Sequence, residues 1–160
     1  IPEVERLIEW LPKTVPPQER TSVVHGDYRL DNMIFHPTES RVTAVLDWEL
    51  GTLGEPLADF TYILMNWVNG TISTIPDLKA HGLPTMDEAV EYYCGLTGRS
   101  GIADLNWFFA YNSFRLVGIL QGILDRVRDG TANHPDAANM GPRVEALSKL
   151  SWSYAQKAGA

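Results

Sequence analysis

The 160-residue sequence predicts an α+β fold that is mostly α, in which a small β-hairpin lies on a helical body. Two observations lead to this prediction. Apolar residues recur at helical spacing through most of the chain, whereas β-branched residues concentrate in short runs between positions 22 and 46. Hydrophobic residues make up 44% of the chain and charged residues 21%, which is ordinary for a globular protein. We therefore expect a single domain over residues 1–160 with its own core.

The first part of the chain is predicted to form one helix and three strands. Residues 3–11 carry apolar side chains at helical spacing, and the prolines that follow end this helix. Residues 22–25, 32–36 and 42–46 are short, rich in β-branched or other apolar residues, and bounded by turn residues, so we predict a strand in each. The last two strands would form the hairpin.

Glycine and proline mark the next boundaries. Gly51 and Gly54 bracket a predicted loop, and Pro56 stands where the first turn of a helix tolerates proline. This helix is apolar on nearly every side to about residue 68, which predicts burial. After an irregular connection, Thr85 and Glu88 have the spacing of a capping box, in which each side chain satisfies a free N–H at a helix start. That helix is predicted to end near residue 97.

Two further helices are predicted over residues 104–128 and 142–157. Gly130 would stop the first of them. Its apolar stretch is interrupted by Asn112, Arg115 and Gln121, so it is too polar to cross a membrane. The sequence therefore predicts a protein without a membrane partner.

Charge and cysteine content exclude other classes of protein. The net charge is −7 and the thirteen basic residues are scattered, which argues against a nucleic-acid partner. Cys94 is the only cysteine, so no internal disulfide can form, and a reducing, cytoplasmic location is expected. As a side chain, Cys94 is expected to be a small buried hydrophobe.

The most informative motif begins at His25, where the sequence H-x-D-x-x-x-x-N ends at Asn32. Fifteen residues later, Asp47 follows a short apolar run. Protein kinases hold a proton-accepting Asp, a metal-binding Asn and a second metal-binding Asp at comparable spacing. Because two strands flank a tight turn in this pattern, the polar groups are expected to meet at one edge of a small hairpin. The pattern predicts the catalytic half of a phosphotransferase.

The chemistry of phosphoryl transfer suggests a role for each side chain. Mg²⁺ prefers oxygen ligands, and Asp47 and Asn32 supply one charged and one neutral oxygen for a metal that carries the nucleotide phosphates. Asp27 is the candidate base for a substrate hydroxyl. Arg29 is two residues further on, so it is expected to face the same pocket and to neutralise charge on the migrating phosphoryl group.

Other polar residues in this region have open interpretations. His25 is expected to tie the backbone of the turn together in preference to acid–base chemistry. Asp31 is expected to be a turn former or a solvated group. Glu49 is interpreted either as a metal ligand, directly or through water, or as a cap for the loop that follows.

At these residues the chain resembles the aminoglycoside phosphotransferase and choline kinase superfamily, whose members are related to protein kinases. H-G-D-Y-R-L-D-N at 25–32 resembles the catalytic loop, V-L-D-W-E at 45–49 the metal-binding segment, and G-E-P-L-A-D-F at 54–60 the family's G-D-P-x-x-D-L signature. The resemblance is strong over residues 20–68 and closest to the kinase-like domains associated with acyl-CoA dehydrogenases. It implies a protein-kinase-like C-terminal lobe.

The resemblance also implies site roles. Asp27 would be the catalytic base, Asn32 and Asp47 the Mg²⁺ ligands, and ATP the phosphoryl donor. Asp59 would accept hydrogen bonds from the backbone of the catalytic loop. A carboxylate on an apolar helix needs donors of this kind, because burial without them is costly.

The chain departs from the family in two respects. Arg29 stands where many aminoglycoside kinases have His. The N-terminal nucleotide lobe, with its glycine-rich loop and strand Lys, has no counterpart in the sequence. Since the chain starts at Ile1 and not at Met, we expect that lobe to precede it in a longer polypeptide, and we expect the isolated chain to be inactive.

Two other functions are compatible with the motifs. A degenerate kinase-like lobe could serve as a non-catalytic binding or scaffold module, although a scaffold has no physical need for Asp27, Asn32 and Asp47 together. A metal-dependent hydrolase would use the same carboxylates with water as the nucleophile and would release phosphate without an acceptor.

The substrate is predicted only as a small hydroxylated molecule. Arg115 lies inside an apolar helix and is expected either to pair with a buried carboxylate or to face an anionic group of the substrate, such as a CoA phosphate. The acyl-CoA dehydrogenase association suggests a hydroxyacyl-CoA.

Overall fold

A computed structural model describes residues 1–131 and 137–160 of the chain. The described residues form two compact units. Residues 1–16 and 104–160 make up one, here called the helical unit, and residues 17–103 make up the other, the mixed unit. The fold class is as predicted: most residues are helical, and the strands are few and short.

The helical unit contains α1 (Pro2–Trp10), α4 (Leu105–Arg128) and α5 (Ala137–Lys157). Apolar side chains from all three helices are buried, among them Leu7 of α1, Phe109 of α4 and Val144 of α5. The cluster of Val117, Val144 and Leu147 joins α4 to α5. Each of these three helices therefore buries one face, as its amphipathic pattern predicts.

One helix boundary differs from the prediction. We expected α5 to span roughly residues 142–157. The helix begins at Ala137, and Pro142 lies inside it. Ala137 and Ala138 have the highest helix propensity, which favours a helix that begins before residue 142. The other boundaries of α1 and α4 agree with the prediction to within a residue or two.

The mixed unit contains β1 (Ser22–Val24), β2 (Met33–Phe35), β3 (Val42–Val45), β4 (Thr52–Gly54), α2 (Leu57–Val68) and α3 (Met86–Thr97). Pro56 is the N-cap residue of α2, one position before the first turn in which we expected it. Thr85 caps α3 with the predicted capping box, since its hydroxyl accepts the Glu88 N–H and its own N–H donates to the Glu88 carboxylate.

The strands form two antiparallel pairs. β2 and β3 make the predicted hairpin, with Met33 opposite Val45. β1 pairs with β4, with Val23 opposite Leu53. The loop predicted between Gly51 and Gly54 is therefore wrong. These residues form β4 instead. β4 has only three residues and is stabilised by its pairing with β1, so no local pattern in the sequence could reveal it.

No helix within the described ranges is long and apolar enough to cross a membrane.

Candidate active site

A tight turn after β1 carries the first candidate residues. Gly26 has a φ of +84°, a conformation that L-residues with a side chain rarely adopt. A Cβ at this position would lie 2.9 Å from both Cβ and O of Leu50. Both the backbone angle and the close approach of Leu50 therefore require glycine here.

His25 connects this turn to the segment after β3. Its side chain is buried. Nδ1 lies 3.1 Å from the backbone N of Asp27 and can only accept that hydrogen bond, so Nε2 carries the proton and donates to the Leu46 carbonyl 2.6 Å away. The ring also packs against Trp48, with centroids 4.7 Å apart. These contacts are those of a residue that ties backbone segments together.

Asp59, the third residue of α2, lies beneath the same turn. Its Oδ2 accepts the N–H of His25 at 2.5 Å, and its Oδ1 accepts the N–H of Gly26 at 3.0 Å. Hydrogen bonds to a charged acceptor are shorter and stronger than neutral ones. The carboxylate therefore binds two consecutive N–H groups of the turn.

Asn32 lies directly against Asp27. Its Nδ2 donates to the backbone carbonyl and to Oδ2 of Asp27, at 3.0 Å in each case. With the amide nitrogen directed to Asp27, the amide oxygen of Asn32 is the atom left to act as a ligand. Both side chains are half-buried.

Asp47 directly follows Leu46, whose backbone is hydrogen-bonded to Asn32 and to His25. The Leu46 N–H donates to the Asn32 carbonyl at 2.8 Å, and the Leu46 carbonyl accepts from His25. Asp47 itself has φ 66° and ψ 55°, the one left-handed residue other than glycine in the described chain. Strained backbone of this kind clusters at functional sites. The side chain is exposed and does not cap the 3₁₀ turn that follows it.

Arg29 forms an exposed ion pair with Asp31. Its Nε and Nη2 both reach Oδ2 of Asp31, at 2.8 and 2.5 Å. This hydrogen bond is the main reason why the pKa of Arg29 is raised, and the negative charges of Asp31 and Asp27 raise it further. The same contact lowers the pKa of Asp31, which we had expected to be a turn former or a solvated group. Exposed pairs of this kind are weak, so a phosphate could compete for Arg29.

The site offers few side chains that could bind a metal. Glu49 is exposed and makes no hydrogen bond or ion pair with any described residue. Across residues 1–131 and 137–160, no group of three or more His, Cys, Asp or Glu side chains could hold a metal by itself. A hard cation here would have to complete its shell with phosphate oxygens and water, which is how Mg²⁺ is usually bound in phosphotransferases.

Sequence analysis did not identify Glu55 as part of the site's support. Its Oε2 accepts the N–H groups of Glu19 and Arg20, each at 3.0 Å, just before β1. Glu55 lies inside the segment G-E-P-L-A-D-F, but only the fold shows what its carboxylate binds.

Arg115 belongs to the helical unit. It is half-buried on α4, where its Nη1 donates to Oδ1 of Asn112 at 3.3 Å and its guanidinium lies 5.7 Å from the ring centre of Tyr111. Neither of its two interpretations is tested by these contacts, and both stay predictions.

The sequence profile of the phosphotransferase enzyme family, which includes the aminoglycoside phosphotransferases, matches residues 1–92, more than half of the chain. The chain belongs to this family. The match confirms the resemblance inferred from the motifs at 25–32, 45–49 and 54–60.

Relatives of this phosphotransferase-family chain include two proteins named for acyl-CoA dehydrogenases. It is 42% identical to mouse acyl-CoA dehydrogenase family member 10, matching 99% of the chain and 15% of that protein. It is 36% identical to the human family member 11, over 93% of the chain and 20% of that protein. The chain thus spans a fifth or less of the length of these relatives.

A solved structure shows the same fold. The chain is 45% identical to a Ralstonia eutropha protein provisionally assigned as an aminoglycoside phosphotransferase, with a TM-score of 0.89. The alignment covers 100% of this chain and 50% of that one.

Proposed function

We propose that this chain is the catalytic lobe of a Mg²⁺- and ATP-dependent phosphotransferase that acts on the hydroxyl group of a small molecule. The observation that carries the proposal is the linkage of three candidate residues. Asn32 binds the side chain of Asp27, and the backbone of Leu46, which precedes Asp47, is hydrogen-bonded to His25 and to Asn32.

Asp27 is the proposed base. Asn32 occupies its Oδ2, so Oδ1 is the oxygen available to accept the proton of the substrate hydroxyl as the oxygen attacks phosphorus. General-base assistance of this kind contributes about 10²- to 10⁴-fold in rate. Since His25 has both ring nitrogens engaged with backbone groups, its role in the proposal is to hold the loop.

Asn32 through its amide oxygen and Asp47 through its carboxylate would hold the metal, and Glu49 would be within the same segment to bind a metal-bound water. These residues fit Mg²⁺, because their oxygens are hard donors and the exposed carboxylates leave room for phosphate and water. When bound, the metal would neutralise charge on the nucleotide phosphates. Arg29 would leave Asp31 to contact the migrating phosphoryl group.

We further propose that contacts to the nucleotide base and to the remaining phosphates come from a part of the protein outside these 160 residues. The Ralstonia chain is twice as long as the aligned region, which leaves room for such a lobe. We propose a hydroxyacyl-CoA as the acceptor, because the mammalian relatives are named for acyl-CoA dehydrogenases. The cytoplasmic location that we propose rests on the single cysteine of the chain.

An activity assay tests the proposal. A polypeptide that contains this chain and the preceding segment is incubated with Mg²⁺, [γ-³²P]ATP and a panel of hydroxylated acceptors that includes hydroxyacyl-CoAs and aminoglycosides. We expect label on an acceptor, dependent on Mg²⁺, and a loss of about 10²-fold or more in kcat for Asp27→Asn.

The competing functions predict different results in the same assay. A hydrolase would release labelled phosphate at the same rate with and without an acceptor. A scaffold module would transfer no label to any acceptor and would behave identically as Asp27→Asn, which would contradict the proposal. Ser148→Ala serves as the control for the substitution, because Ser148 lies in the helical unit.

A further inference from the structure

Two carboxylates from one short stretch of chain hold the segments on either side of β1. Asp59 accepts two consecutive backbone N–H groups just after the strand. Glu55, four residues earlier, accepts the two consecutive N–H groups of Glu19 and Arg20 just before it. β1 is therefore fixed at both ends. The position of the turn at residues 25–27, which follows β1, depends on the position of the whole strand.

Arg99 binds the second of these carboxylates, Glu55. It directly follows Gly98, which ends α3, and only 2% of its side chain is exposed. Its Nη2 donates to Oε1 of Glu55 at 2.6 Å, and its Nη1 donates to Oε2 of Glu19 at 2.5 Å. The planar guanidinium thus joins the end of α3 to the segments before β1 and after β4.

The two carboxylate oxygens of Glu55 have different partners, and one of these partners is Arg99. One carboxylate oxygen binds the guanidinium and the other binds the two N–H groups, while only 13% of the side chain is exposed. Without the cation, a largely buried carboxylate would lose its only charged partner within this network. Such a group turns toward water, which would release the N–H groups that it holds.

We propose that Arg99 is a positioning residue for the loop that carries Asp27, and that it acts through Glu55 and β1. Arg99 touches no reacting atom. It fixes the start of β1, so that the end of the strand presents its N–H groups to Asp59 and holds the catalytic turn in one conformation. The catalytic part of this inference rests on the proposed function, whereas the structural part does not.

Amide hydrogen exchange, measured residue by residue by NMR, tests the structural part in the chain itself. In Arg99→Met, the Gly26 amide should exchange about tenfold faster or more, the effect of losing one hydrogen bond to a charged group. The amides of Leu64 and Met65 in the middle of α2 report the general loss of stability and should change less. Glu19→Gln is the matched control: because Glu19 is 64% exposed, its loss should leave Gly26 nearly unchanged.

Kinetics test the catalytic part in the longer polypeptide. We expect Arg99→Met to lower kcat by about tenfold or more while the KM for the acceptor stays within about twofold, because orientation at the reacting centre and not substrate binding is disturbed. Arg99→Lys, which keeps a cation but has no bidentate fork, should recover part of the loss.

Each outcome decides a different statement. If Gly26 exchange rises no more than that of Leu64, Arg99 is only a general stabilising residue and the inference is overturned. If exchange rises selectively but kcat does not fall, its link to catalysis is overturned. If the unsubstituted enzyme transfers no phosphate, the proposed function fails while the exchange result still stands. Should Arg99→Met not fold, Glu55→Gln replaces it, with the same selective increase expected at Gly26.

Discussion

The buried hydroxyls of the helical unit and the polar side chains at the catalytic turn of the mixed unit bind different kinds of backbone group. In the helical unit, buried Ser148 donates its hydroxyl to the Val144 carbonyl one turn earlier in α5, and buried Ser151 donates to the Ala110 carbonyl of α4. These carbonyls belong to helices and already accept backbone hydrogen bonds. Removing either hydroxyl should therefore leave no backbone group without a partner.

In the mixed unit, buried Thr61 of α2 also donates to a helix carbonyl, but the polar side chains at the catalytic turn bind backbone atoms that lie outside helices and strands. Asp59 serves two N–H groups of the turn, and the His25 ring serves the Asp27 N–H and the Leu46 carbonyl. An unsatisfied buried donor costs roughly 1–3 kcal/mol. The difference shows where a polar side chain is required: it is required where the backbone itself is irregular, and the candidate site is built from such backbone.

The comparison predicts its largest effect at Asp59. Asp59→Ala removes the carboxylate that accepts the N–H groups of His25 and Gly26, and it should lower the free energy of unfolding by about 4 kcal/mol. Urea denaturation measures this loss, and the phosphotransfer rate of the folded fraction should fall with it. Asp59→Asn keeps one oxygen acceptor, so its free energy of unfolding should lie between those of the unsubstituted protein and Asp59→Ala. Full activity and an unchanged melting temperature for Asp59→Ala would show that its hydrogen bonds are dispensable.

The next largest effect is expected at Gly26. Gly26→Ala must adopt a positive φ and also place a Cβ 2.9 Å from Leu50, so we expect a loss of about 3 kcal/mol. Gly98→Ala is the matched control, because it has a φ of +65° but open space around the new Cβ. It should lose only about 1 kcal/mol, from the backbone conformation. Equal losses of stability for Gly26→Ala and Gly98→Ala would show that the close approach of Leu50 does not contribute.

A smaller effect is expected at the start of α3. Thr85→Ala removes the N-cap and should cost about 1 kcal/mol. Thermal unfolding checks this value.

The same capping box predicts a pH dependence. Hydrogen bonds from the backbone and side chain of Thr85 lower the pKa of Glu88. Stability from this contact is therefore present above the ordinary Glu pKa of about 4.3 and is lost as the pH falls through the lowered value. Glu88→Gln should lack this part of the acid destabilisation. Parallel stability curves for the two proteins between pH 5 and 3, roughly the range of carboxylate titration, would contradict the assignment.

The smallest effect is expected in the helical unit. Ser148→Ala should change the free energy of unfolding by less than about 0.5 kcal/mol, although the hydroxyl is buried, because its acceptor keeps the helical hydrogen bond. A loss as large as that of Asp59→Ala would end the distinction between the two units.

The sequence predicts those features that depend on near neighbours along the chain. The helices follow from apolar spacing, and the capping box follows from two residues three positions apart. The turn at Gly26 and its neighbours are visible as a motif. These signals are local, so one sequence is enough to find them.

What the sequence does not reveal depends on tertiary contacts. β4 is too short for a pattern and exists because it pairs with β1. The contact between Glu55 and Arg99 joins residues 44 positions apart, and the pair that Arg29 forms with Asp31 depends on the conformation of an exposed turn. The pattern shows which residues have the right chemistry, while the fold decides which atoms remain available for it.

The central claim is that Asn32 and Asp47 bind one metal beside Asp27. Paramagnetic broadening by Mn²⁺ with ATP, recorded on the amide signals of this chain, tests it most directly. The account predicts selective broadening of residues 26–33 and 46–49, which disappears in Asp47→Asn and persists in the exposed-residue control Asp87→Asn. Broadening elsewhere on the chain, or the same broadening in Asp47→Asn, would contradict the assignment of the metal site.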